Sequence, residues 1–97
     1  MIVRIVKMTF QSNEISSFLE ELNKRKQKIR GFEGCEKLEL LQCKDKPNVI
    51  FSYSYWKDES YLEAYRKSDF FRETWTFTKS RFSENPQAWT NELLDAL

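Results

Sequence analysis

Between Tyr53 and Trp75 the apolar residues change their spacing from two to between three and four, and this change constrains the fold more than any other feature. Val49, Phe51, Tyr53 and Tyr55 alternate with Ile50, Ser52, Ser54 and Trp56, which is the period of a strand. Asp58 then stands where a helix N-cap would, and Leu62 and Tyr65 recur behind it at a helical interval. The pair Ser68-Asp69 interrupts that helix and can cap a second one, with Phe71, Trp75, Thr78 and Phe82 along one stripe. A strand end facing a broken, aromatic-lined helix pair makes a pocket wall. Ser52 and Ser54, small between Ile50 and Trp56, leave room on that side of the strand unless a neighbour fills it.

The remaining segments read as elements of the same small domain. Ile2 to Phe10 alternates as a strand, with Val3, Ile5, Lys7 and Thr9 on one face and Ile2, Arg4, Val6, Met8 and Phe10 on the other. Apolar residues on both faces call for a second cover, and a partner subunit is the expected one. Ser12 or Asn13 can cap a helix running to about Arg30, with Ile15, Phe18, Leu19, Leu22 and Ile29 on a single side and Gly31 as its stop. Its basic run, Lys24, Arg25, Lys26, Lys28 and Arg30, reads as a solvated face. Pairs Glu20–Lys24 and Glu21–Arg25 are favourable, and cations suit a helix C-terminus. A second strand spans about Cys35 to Lys44, Asp45-Lys46-Pro47-Asn48 turns the chain, and the third strand runs Val49 to Trp56. Beyond Ser83-Glu84-Asn85-Pro86 the periodicity admits either a strand or a helical turn, and a short strand near Ala88 to Leu93 is favoured.

The chain has 97 residues, 40% hydrophobic and 32% charged, which is a globular composition with room for one small core. No apolar run approaches the roughly 20 residues of a membrane span, and Met1-Ile2-Val3-Arg4 leads straight into a strand, so a cytoplasmic address is expected. A formal charge of +1 provides no general attraction to nucleic acid or anionic lipid. Cys35 and Cys43, in one strand, would be on the order of 26 Å apart at the usual rise per residue, far beyond disulfide reach, and are expected as reduced thiols. With no histidine in the chain, a metal site is not expected. The aromatic signature of RNA-binding sheets is also missing.

The order strand, helix, strand, strand, helix pair, strand is a ferredoxin-like α+β pattern, β-α-β-β-α-α-β, with one antiparallel sheet. Met1-Ile2-Val3-Arg4, Gly34-Cys35, Tyr55-Trp56 before an acidic helix start, and Ala64-Tyr65-Arg66-Lys67-Ser68 followed by Phe70-Phe71 together resemble the antibiotic biosynthesis monooxygenase domain over nearly the whole chain. The resemblance implies a dimeric α+β barrel, in which the open faces of two sheets pack together as a homodimer.

Chemically, the resemblance implies oxidation of a small electron-rich aromatic, a quinol or anthrone, by O2 without metal, flavin or other cofactor. The protein would bind the substrate, exclude water and stabilise an oxyanion or enolate. On this basis Tyr65 and Arg4 are the expected catalytic residues, and Tyr53, Trp75, Phe71 and Trp56 the expected substrate contacts. Each has a structural alternative: buried aromatic residues commonly form core, and Arg4 can pair with Glu39. A haem-degrading branch of the family uses an asparagine, a tryptophan and an iron-ligating histidine where this chain has Val6, Tyr65 and Trp75, so haem degradation is not expected. Without an imidazole the available bases are tyrosinate, a carboxylate such as Glu36 or Glu39, and water. The competing reading is a non-catalytic dimeric module that binds a small molecule.

Overall fold

The computed structural model describes residues 1–97, arranged as β1 (Ile2–Thr9), α1 (Ile15–Arg30), β2 (Cys35–Gln42), β3 (Val49–Trp56), α2 (Glu59–Arg66), α3 (Asp69–Lys79) and β4 (Gln87–Glu92). The expected ferredoxin-like order is therefore the observed one, in a four-stranded sheet with strand order β2-β3-β1-β4 and every pair antiparallel. β3 has the expected bounds, and both caps behind it form. Asp58 accepts from the Ser60 amide at 2.8 Å, and the Ser68 hydroxyl accepts from the Phe71 amide at 3.1 Å.

Several boundaries differ from expectation, each for a local reason. Regular pairing of β1 stops at Thr9, because Phe10 turns to bridge Phe82. β2 stops at Gln42, where the Cys43 amide donates to Val49 O at 2.9 Å and closes the hairpin. Neither Ser12 nor Asn13 caps α1: the N-cap position is Glu14, without a side-chain cap bond, and its carboxylate lies 3.4 Å from Arg81. Lys24 pairs with Glu21 at 4.0 Å rather than with Glu20, beside the expected Glu21–Arg25 pair at 2.9 Å. Phe82 lies beyond the end of α3, yet its ring still packs on Trp75 at 5.6 Å. The ambiguous C-terminal segment supplies strand β4, and Leu93 to Leu97 carries no regular structure.

Register decides which strand faces meet the helices. Arg4, Val6 and Met8 of β1, Leu38 and Leu40 of β2, and Ser52 and Ser54 of β3 share the helix side. The opposite face presents Ile5, Leu41, Phe51, Tyr53, Tyr55 and Trp89 with no element over them, and Leu41 and Trp89 are each 46% exposed. On the helix side the buried side chains form two clusters rather than one core. Ile29, Cys35, Trp56, Leu62 and Tyr65 make one, and Met8, Phe10, Phe18 and Ile50 the other. Gly34 enters β2 at φ +83°, and a Cβ there would collide with the Tyr61 side chain, so the approach of α2 to this turn requires glycine. Gly31, by contrast, ends α1 at an ordinary φ of −81°. Cys35 and Cys43 are both free thiols. No helix is long and apolar enough to cross a membrane.

Candidate functional site

Small residues on β3 create the site. With Ser52 and Ser54 where the flanking Ile50 and Trp56 fill the core, the centre of the sheet stands clear of the helices, and a cavity of about 360 Å³ lies between the two clusters. Val6, Leu38, Leu40, Ser52, Ser54 and Ala88 carry its floor across all four strands, and all three helices roof it. Most of the lining is apolar, which suits a small aromatic or aliphatic body.

A continuous row of rings supports the helix side. Trp56 stacks on Tyr65 at 5.2 Å, Tyr65 meets Phe71 edge-on at 5.1 Å, and Phe71 stacks on Trp75 at 6.1 Å. Phe82 then connects Trp75 to Phe10, and Phe10 stacks on Phe18 at 4.1 Å. This row links the two clusters past the cavity. Such ring pairs are individually worth about 0.5–1.5 kcal/mol beyond their burial, so the wall is held as a unit.

The polar lining is cationic and hydroxylic. Arg4 donates to Thr90 Oγ1 at 2.8 Å and has no carboxylate partner, whereas Arg66 is paired with Glu63 at 3.2 Å. Burial lowers the Arg4 pKa, repulsion from Arg66 lowers it further, and Glu63 works against both. Tyr65 makes no side-chain hydrogen bond and is nine-tenths buried. Desolvation, with a smaller contribution from Cys35, pushes its phenol well above the usual range. The Trp56 indole donates to Ser54 Oγ at 2.9 Å. The lining contains no histidine, cysteine, aspartate or glutamate.

Of the six residues singled out from the sequence, the fold brings Arg4, Tyr65, Phe71 and Trp75 to this cavity. Tyr53 does not line it: alternation along β3 sends its side chain to the uncovered face, opposite Ile5 and Glu39. Trp56 is fully buried as core and reaches the cavity only through Ser54. The carboxylates considered as bases are also elsewhere. Glu39 is on the uncovered face, accepting from the Tyr55 hydroxyl at 2.8 Å, and Glu36 lies 3.7 Å from Lys57 at the β2 bulge. Arg4 and Glu39 occupy opposite faces and cannot pair. Ser54, Arg66 and Thr74 also line the cavity. The serines were visible as a gap in a bulky alternation, but Arg66 and Thr74 sit among other polar helix residues and carried no distinguishing signal.

The family model of the antibiotic biosynthesis monooxygenases matches residues 1–75, which covers β1 through most of α3. The chain belongs to the antibiotic biosynthesis monooxygenase family. Three solved structures place this member of the family among its relatives in fold. A crystal structure of an antibiotic biosynthesis monooxygenase superposes with a TM-score of 0.91 at 14% identity, covering 98% of this chain and 100% of the other. A conserved protein of Methanosarcina mazei gives 0.86 at 20% identity, over 94% and 91% of the two chains. Rv0793 of Mycobacterium tuberculosis gives 0.89 at 14% identity, over 98% and 96%. No curated protein matches. The antibiotic biosynthesis monooxygenase model stops short of β4, so Pro86 and Ala88 close the cavity from outside the matched segment.

Proposed function

We propose that this chain is a monooxygenase that oxidises a small electron-rich aromatic, of quinol or anthrone type, with O2 as the only co-reactant. The observation that carries this reading is the combination, in a member of this family, of an apolar cavity of about 360 Å³ walled by Tyr65, Phe71 and Trp75 with a carboxylate-free Arg4 at its floor. In an anthrone-type substrate a methylene becomes a carbonyl, the second oxygen atom leaves as water, and all the electrons come from the substrate. The residues' task is to hold the carbanionic or enolate form in a dry site and to stabilise its charge. Arg4 supplies the opposing positive charge, and the aromatic wall supplies orientation. The working form is a homodimer closed through the uncovered sheet face, in the cytoplasm.

Oxygen consumption by the purified protein over a panel of quinols and anthrones tests the reading. Uptake above the uncatalysed rate, matched to substrate oxidised and lowered about tenfold or more by Arg4→Gln or Trp75→Ala, is the expected result; one tenfold step corresponds to about 1.4 kcal/mol of transition-state stabilisation. Saturable quenching of tryptophan fluorescence with no oxygen uptake over the whole panel would instead identify a non-catalytic binding module.

A further inference from the structure

Oxidation of a quinol or anthrone by O2 begins with loss of a proton, and the cavity holds no group suited to remove it. Glu36 and Glu39 are outside it, Glu63 is committed to Arg66, and the chain has no histidine. Tyr65 is the one phenol in the lining, and burial keeps it protonated. What the floor does offer is a place for a negative charge. Arg4 and Ser54 are direct cross-strand partners of β1 and β3, on the same face and both in the lining. Arg4 carries a cation that no carboxylate pairs with directly, and the field of Glu63 offsets only part of the repulsion and burial acting on it. Ser54 accepts the indole N–H of the fully buried Trp56, and its own hydroxyl hydrogen has no acceptor in the chain. Its remaining capacity is therefore that of a donor, oriented from beneath by a rigid ring.

We propose that the Arg4–Ser54 pair is an oxyanion-binding subsite, and that the cavity admits its hydroxyarene already ionised, as phenolate or enolate, with the proton left in bulk water. The inference rests on the aromatic-oxidation reading above and adds what that reading leaves open, namely where the proton goes and which ionisation state is selected. Ser54 acts as a positioning donor to the substrate oxygen, and Arg4 neutralises it. Specificity follows from acidity as well as shape, since a neutral hydroxyarene can still accept both hydrogen bonds but leaves the Arg4 charge uncompensated and the bonds weaker.

The test uses 4-nitrophenol, whose neutral and anionic forms differ in colour and which O2 does not oxidise under these conditions. Titrating the bound probe from acid to neutral pH should show its pKa lowered by about one unit or more, equivalent to about tenfold tighter binding of the anion. Arg4→Gln should abolish that preference, Arg4→Lys should keep most of it, and Ser54→Ala should weaken anion binding severalfold. Equal affinity for both forms, or a preference indifferent to Arg4→Gln, overturns the proposal. The wild-type titration and the partly exposed Arg4 carry this test even if Ser54→Ala, which strips the Trp56 indole of its acceptor, fails to fold. A second arm measures kcat/KM against pH for quinols of different acidity. Profiles that move with each substrate's own pKa support the subsite, and one fixed profile for all would reveal a base in the protein and overturn it. The two readings fail separately. Anion preference without oxygen uptake removes the oxygenase, and uptake without anion preference removes the subsite.

Discussion

At the residue scale, the serines of β3 and the buried ionisable pair beside them govern behaviour. Ser52 and Ser54 were legible in the sequence as small side chains interrupting a bulky series, and the structure turns that gap into the cavity. Tyr53 was as prominent, but alternation alone does not reveal which side of a strand meets the helices, and β1 and β2 pairing puts it on the other side. Cys35 and Tyr65 sit in one cluster, and burial raises both pKa values. In the unfolded chain they ionise near 9.0 and 10.0, so the folded state is favoured fully below those values and loses that advantage as pH rises toward the folded ones. Urea midpoints measured across alkaline pH should fall from about pH 9 upward. Tyr65→Phe should flatten the part of the fall above about pH 10. A midpoint independent of pH over that range would show that neither group resists ionisation.

At the element scale, the joint between α2 and α3 controls the roof. Ser68 accepts the Phe71 amide and donates to Tyr65 O at 2.6 Å, so one hydroxyl ends one helix and begins the next directly beside two cavity residues. This joint was readable from Ser68-Asp69 because capping chemistry is local. The end of α3 was not. Phe82 continues the helical spacing of Phe71, Trp75 and Thr78, but the chain turns at Ser80, so an apolar residue placed by tertiary packing mimicked one placed by periodicity. Ser68→Ala should cost about 1 kcal/mol in chemical denaturation, the usual loss of an N-cap. Ser68→Asp should recover part of that, since it restores the acceptor and leaves Tyr65 O without its donor. Equal stability of all three proteins would mean that the joint is held by packing alone.

At the scale of the whole molecule, the sheet has one side occupied by helices and one side of Ile5, Phe51, Tyr53, Tyr55 and Trp89 that nothing in the chain covers. Two copies joined there would form the barrel that the family resemblance implies. The strands carry apolar residues on both faces, which was the earliest ground in the sequence for expecting a partner subunit. Sedimentation at micromolar concentration should give about twice 11.8 kDa. Tyr53→Glu, which puts a charge in the row between Ile5 and Glu39, should give a monomer. A wild-type monomer would refute this use of the face. The divided core has a further, practical consequence. Because the two clusters are joined past the cavity by a row of rings and by Leu22, which packs on both, a molecule that fits there becomes a missing piece of the interior, and heat resistance rises with its concentration and affinity. The melting temperature is thus a readout of chemical fit, and scanning it across a collection of small acidic arenes would let the protein itself rank the ligands that its cavity accepts.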